Sequence, residues 1–206
     1  WSLDFKTTPD VLIPRPETEI LIETLFSLND ETSTDQSLHL LDIGTGSGVI
    51  AVVAAREIAN CQVTATDHSP EALAVARMNA ATQGVSKKIN FVQSDLFKRL
   101  PEVSYDFIVS NPPYIETLRL NDLMPDVRDY EPRSSLDGGA DGLAFYRCIV
   151  PGALDYLKEG GGLILEIGET QAKAVSHLFC VEDKYVSIKV TQDGGGYDRV
   201  VSARKK

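Results

Sequence analysis

The chain has 206 residues, enough for one α/β domain with a core of its own. It is 43% hydrophobic and 24% charged, a globular balance that excludes disordered and fibrous classes. With 30 acidic residues against 20 basic ones the net charge is −10, so a chain-wide basic footprint for duplex DNA or RNA is missing. Residues 1–15 read as irregular, broken by Pro9 and Pro14. Pro16 then opens a helix over 17–28, with Ile20, Leu21, Leu25 and Leu28 at helical spacing. The polar stretch 29–37 reads as a loop. Residues 38–43 have the length and apolarity of a buried strand, 49–58 are an Ala-rich helix, and 62–66 are a second strand. Ser69 and Pro70 supply an N-cap and a first-turn proline for a helix that reaches about Gln83 and stops at Gly84. Strands follow over 89–93 and 105–110. Residues 141–158 read as mainly helical, with Pro151 as a boundary or kink. A fifth strand over 163–167 and a helix over 170–179 come next. The runs 185–190 and 199–202 flank the turn 193–196 as an antiparallel hairpin.

This alternation predicts an α/β fold, a mostly parallel seven-stranded sheet covered on both faces, with a C-terminal antiparallel hairpin. No internal repeat or linker divides the chain, so 1–206 is read as one domain, with 1–30 as a lead-in and helix. No run approaches the about 18 apolar residues of a membrane span. The opening run from Trp1 to Lys6 lacks the basic start and apolar run of a secretory leader. Because it opens on Trp rather than Met, the chain is expected to be a fragment or a processed product. Cys61, Cys148 and Cys180 form no metal-spaced pair and are read as structural residues of a reduced, cytoplasmic protein. His39, His68 and His177 fit no metal constellation, and no metal is expected.

The most informative loop is Asp42-Ile43-Gly44-Thr45-Gly46-Ser47-Gly48, between the first strand and its helix. Its glycines permit a sharp turn and bring ligand close to backbone N–H groups at a helix N-terminus. A dinucleotide fold would place the third glycine at Val49, and a Walker loop would need Gly-Lys-Ser/Thr; neither is present. A nucleoside ligand without a pyrophosphate fits better, and S-adenosylmethionine (SAM) is the candidate, its aminocarboxypropyl group over Gly44 to Gly48. Asp67 ends the second strand where a carboxylate can bond ribose hydroxyls. Asp95 and Leu96 follow the third strand, the first to accept from an adenine amino group and the second to pack on the ring. Each acid could instead cap the helix behind it.

The fourth strand runs into Asn111-Pro112-Pro113-Tyr114. The prolines stiffen the loop and remove N–H donors. The Asn111 side-chain carbonyl and the Pro112 backbone carbonyl can accept both hydrogens of a planar NH₂ group. An amide nitrogen is a poor nucleophile because its lone pair is delocalised; two acceptors can pull it toward pyramidal geometry and aim that pair. Pro113 keeps the turn rigid, and Tyr114 can pack on the planar target. The tetrapeptide fits enzymes that methylate nitrogens in DNA, in RNA or in protein, and by itself leaves the substrate open.

Two further segments separate these. They are Leu12-Ile13-Pro14-Arg15-Pro16-Glu17-Thr18-Glu19 before the first helix, and Asp126-Val127-Arg128-Asp129-Tyr130-Glu131-Pro132 with Leu136 to Leu143 after the tetrapeptide. With the glycine loop and Asn111 to Tyr114, the chain resembles the HemK/PrmC family of peptide chain release factor glutamine methyltransferases over nearly its whole length. The resemblance implies a class I SAM-dependent methyltransferase fold. The implied reaction takes a methyl from SAM to the side-chain amide of the glutamine in the Gly-Gly-Gln motif of a release factor, leaving S-adenosylhomocysteine. It implies SAM contacts at Gly44, Thr45, Gly46, Ser47, Gly48, Asp67, Leu96 and Asn111, and a glutamine site at Asn111, Pro112, Pro113 and Tyr114. The family usually carries an N-terminal helical domain, and this chain is expected to start at its junction with the catalytic domain. A release factor is the expected partner of a cytoplasmic monomer that binds no nucleic acid or membrane. Two other readings stand beside this one: a nucleic-acid amino-methyltransferase acting on adenine or guanine, disfavoured by the acidic charge, and a SAM-binding scaffold without turnover. In the bland reading, Arg15 pairs with a surface carboxylate, Glu17 and Glu19 serve the helix dipole, and Arg128, Asp129 and Glu131 form a solvated cluster.

Overall fold

A computed structural model describes residues 1–31 and 37–206; most of the expected loop over 29–37 lies outside the described residues. In chain order the elements begin with α1 (Thr18–Asp30), β1 (Leu38–Ile43), α2 (Val49–Glu57), β2 (Cys61–Asp67), α3 (Pro70–Thr82), β3 (Ile89–Gln93) and β4 (Tyr105–Ser110). They continue with α4 (Pro125–Arg128), α5 (Ala144–Ala153), β5 (Leu157–Glu166), α6 (Ala172–Val181), β6 (Tyr185–Gln192) and β7 (Asp198–Lys205). The strands form one sheet in the order β3-β2-β1-β4-β5-β7-β6. β3, β2, β1, β4 and β5 pair in parallel, and β7 joins β5 and β6 antiparallel. The expected sheet and closing hairpin are both present.

The two-residue period of a strand sends alternate side chains to opposite faces, and that divides the core in two. Leu38 and Leu40 of β1 with Phe107 and Val109 of β4 meet Leu21 and Leu25 of α1 and Ile50 and Val53 of α2. Leu41 and Ile43 with Ile108, Leu163 and Leu165 meet Tyr146 and Ile149 of α5 and Val175 and Phe179 of α6. Nearly all these side chains are fully buried, so both faces of the parallel sheet are covered and its strands read as continuous apolar runs. Among the described residues no helix is long and apolar enough to cross a membrane.

Four expectations shift. The helix expected over 141–158 is α5, eight residues shorter at its two ends together, because Gly142 has φ +71° and Asp141 uses its carboxylate on Leu143 N–H and Arg147 instead of joining the helix. Pro151 stands inside the last turn of α5, which runs on to Ala153, so it is not the helix boundary. β5 starts at Leu157, with a register shift against β4 between Tyr105 and Phe107; the glycines at 160–162 hide this half of the strand from any propensity reading. Cys61 is buried inside β2, whereas Cys148 and Cys180 are exposed and so are not core residues.

Between β4 and α5 the chain makes a long excursion. It is pinned at its base by Ile115 N–H to the Leu136 carbonyl (3.0 Å) and Gly138 N–H to the Ile115 carbonyl (2.8 Å). The lead-in is held likewise: the Lys6 backbone exchanges two hydrogen bonds with the buried Asn79 side chain of α3. The excursion and the lead-in therefore both end up over the carboxyl ends of β1, β2 and β4.

Candidate active site

β1 and β4 are neighbours although β2 and β3 intervene in the chain, so the connections leave their carboxyl ends in opposite directions. Open α/β sheets bind ligands in the crevice at such a point. A cleft of about 600 Å³ lies there, within the size range of small-molecule sites.

Its floor is the glycine loop. Gly44 and Gly46 adopt φ of +72° and +53°, a region closed to most side chains, and the space beside each is open. The loop is tied from below. Thr45 N–H reaches the Thr66 carbonyl at 2.8 Å, the Thr45 hydroxyl reaches Asp42 Oδ2 at 2.6 Å, and Asn79 donates to the Ser47 carbonyl at 2.8 Å. Gly48, expected in the ligand cradle with the others, does not line the cleft. With φ +83°, it backs onto α3, where an added Cβ would stand 3.0 Å from the Ala76 Cβ. It serves helix packing. Asp42 is fully buried, and desolvation pushes its carboxyl up to about 7 despite the Thr45 bond.

Asp67 lies on the cleft wall and uses both oxygens on backbone: Oδ2 accepts Gly46 N–H and Oδ1 accepts Ser69 N–H, each at 3.0 Å. The helix cap at α3 is Ser69, whose hydroxyl accepts Ala72 N–H. Asp67 thus positions the glycine loop while keeping lone pairs for a ligand. Leu96 lines the opposite wall with φ +50°, held by the Ser94 hydroxyl donating to its carbonyl at 2.8 Å. Asp95 also faces the cleft, but its exposed carboxylate pairs with Lys98 at 2.6 Å.

Asn111, Pro112 and Pro113 line the cleft at the end of β4. Tyr114 does not: its ring packs against the core cluster under α5, and its carbonyl accepts from Gln171 at 3.0 Å. Burial, with the nearby Glu166 charge, raises its phenol to about 12. A stacking role for Tyr114 on a target in the cleft is therefore not what the resting geometry shows.

Sequence reading missed Glu166 and gave Thr18 no role of its own. Glu166, the last residue of β5, is 1% exposed, and burial raises its carboxyl to about 7. Thr18 donates to it at 2.8 Å, and the Asn111 amide donates to the Thr18 hydroxyl at 3.2 Å. The signal was an acid inside Leu163-Ile164-Leu165-Glu166-Ile167, a run that otherwise reads as core. Glu131 leaves the solvated cluster of the bland reading: its buried carboxylate takes Arg15 at 2.6 Å and ties the lead-in to the excursion beside the cleft. Arg128 and Asp129 do pair with each other in solvent.

Comparison with known proteins adds a lineage to this geometry. Residues 16–124 match the model of the methyltransferase small domain. The chain is 44% identical to a release factor glutamine methyltransferase from Geobacter sulfurreducens, over 98% of this chain and 69% of the relative. It is 43% identical to one from Moorella thermoacetica, over 100% of this chain and 71% of the relative. A crystal structure of a methyltransferase from Pyrococcus furiosus superposes with a TM-score of 0.68 at 20% identity, over 100% of this chain and 90% of that one, a likeness of fold.

Proposed function

The chain belongs to the release factor glutamine methyltransferase family, and on that premise we propose that it methylates the side-chain amide nitrogen of the glutamine in the Gly-Gly-Gln motif of a translation release factor, with SAM as donor. The reading places it in the cytoplasm, where release factors work. The observation that carries it is the polarity of Asn111. Its NH₂ end is engaged by Thr18, so its carbonyl end is the one left for a ligand in the cleft.

The cleft fits SAM on its own chemistry. Gly44 and Gly46 leave backbone open to an aminocarboxypropyl chain, Asp67 offers lone pairs to ribose hydroxyls, and Leu96 gives an apolar face for the adenine. Bound there, SAM supplies a methyl carbon on a positively charged sulfur, an electrophile that needs no acid to activate it. The protein's part is to prepare the amide. The Asn111 carbonyl and the Pro112 carbonyl accept its two N–H bonds, draw the nitrogen toward pyramidal geometry and aim its lone pair. The C–N bond would form as the C–S bond breaks, leaving S-adenosylhomocysteine; the acceptors stabilise the positive charge that builds on the nitrogen until one proton passes to solvent. Holding reactants in line in this way contributes on the order of 7–11 kcal/mol, without a nucleophilic Cys or His. Incubation with tritium-labelled SAM and equal amounts of release factor, duplex DNA and structured RNA tests the reading. Label is expected in the release factor; label confined to nucleic acid assigns the chain to adenine or guanine instead.

A further inference from the structure

The string Pro14 to Glu19 singled out in the sequence touches the site through Thr18. We propose that Thr18 and Glu166 are positioning residues that lock the Asn111 side-chain amide with its carbonyl oxygen toward the cleft. The geometry stands by itself; its consequence for rate rests on the methyl-transfer reading above.

Hydrogen-bond inventory carries the argument. A threonine hydroxyl has one proton and a carboxylate has none. Thr18 is 4% exposed, at the first turn of α1, and gives its proton to Glu166 Oε2 at 2.8 Å. Its lone pairs then receive the Asn111 amide at 3.2 Å, beside the Glu166 carboxylate that this amide helps keep ionised. With Glu166 ionised, nothing in this set has a proton left to give to an oxygen. If the Asn111 amide turned over in that state, its carbonyl would face a carboxylate and a hydroxyl oxygen whose proton is committed, and the hydrogen bond to Thr18 would be lost. The Tyr146 hydroxyl does not compete, because it donates to the Glu166 backbone carbonyl at 2.8 Å. A turned amide would also set NH₂ against the NH₂ of a substrate glutamine. Thr18 thus ties the N-terminal string to the tetrapeptide, two segments 93 positions apart, at the one atom whose polarity the reaction needs.

Two measurements test the lock. Solvent exchange of the Asn111 side-chain amide protons, followed by NMR in protein carrying isotopically labelled asparagine, reads it without any turnover. Thr18→Val keeps the shape and removes the hydroxyl; exchange is expected to rise at least about tenfold, and Thr18→Ser to restore it. Turnover at saturating SAM with release factor is expected to fall at least about tenfold in Thr18→Val and to recover in Thr18→Ser. Added to Asn111→Ala, Thr18→Val is expected to take nothing further from turnover, because it acts through Asn111. Should Thr18→Val not fold, Glu166→Gln replaces it: an amide there can donate to Asn111 and permit the turned state, with the same rise in exchange. Unchanged exchange in both variants, or the same rate loss from Thr18→Val with and without Asn111, overturns the proposal. If the unaltered protein transfers no methyl to release factor, the functional reading fails while exchange still decides the lock.

Discussion

At the scale of single residues, the placement of Asp67 and Asn111 on the cleft was legible because each stands at the carboxyl end of an apolar run, where ligands collect in such sheets. What the sequence hid is that each has a structural partner as well. Asp67 accepts Gly46 N–H and Ser69 N–H, so Asp67→Ala acts twice. SAM affinity measured by calorimetry is expected to fall by about 1.5–3 kcal/mol, the worth of a hydrogen bond to a charged group. Thermal unfolding is expected to report a smaller loss, about 1 kcal/mol, from the freed N–H groups. SAM affinity equal to that of the unaltered protein reduces Asp67 to a loop tether. Asn111→Ala removes an acceptor that matters most as charge develops, and turnover at saturating SAM is expected to fall at least about 100-fold. Glu166 could not be read this way. An acid within Leu163 to Ile167 carries no sequence mark of whether it faces solvent, a metal or a hydroxyl; only the packing of α1 beside β5 brings Thr18 to it.

At the scale of elements, the legible parts were those where local and tertiary preferences agree. β1, β2, β3 and β4 are apolar and β-rich in their own right, and Ser69-Pro70 marks the start of α3 as the structure has it. The junction of α5 and β5 was misread because its conformation depends on partners. Leu157 pairs with Tyr105 across the sheet, and the glycines after it owe their strand geometry to β4. The glycine loop shows the same division. Gly44 and Gly46 face the cleft, whereas Gly48 sits against Ala76, and spacing alone does not tell a cradle from a packing contact. Gly48→Ala is expected to destabilise the fold by about 1–3 kcal/mol, since it combines a strained positive φ with a Cβ 3.0 Å from Ala76. Urea unfolding checks it; a change below about 0.5 kcal/mol means α2 and α3 can part without penalty.

At the scale of the whole molecule, two buried carboxyls give the fold a pH signature. Desolvation raises both Asp42 and Glu166 to about 7. The folded chain then holds protons that the unfolded chain releases near the ordinary carboxyl values of 3.8 and 4.5. Stability from these groups is complete below those values and is lost as pH rises toward 7. Urea unfolding between pH 5 and 7 is therefore expected to show a downward slope that Asp42→Asn flattens by up to about 1.4 kcal/mol per pH unit. An equal slope in both proteins means the Asp42 carboxyl ionises normally in the fold. The same molecule-wide view bears on function. The lead-in and the excursion meet beside one cleft and are joined by Arg15 and Glu131, so residues from each segment that carried the family resemblance line one cavity. The most direct test of the account is mass spectrometry of the release-factor tip peptide after incubation with SAM and either the unaltered protein or Asn111→Ala. The account predicts one added methyl group, on the side-chain nitrogen of the Gly-Gly-Gln glutamine, formed at least about 100-fold more slowly by the variant at saturating SAM. A methyl group on any other residue, or equal rates from the two proteins, would contradict it.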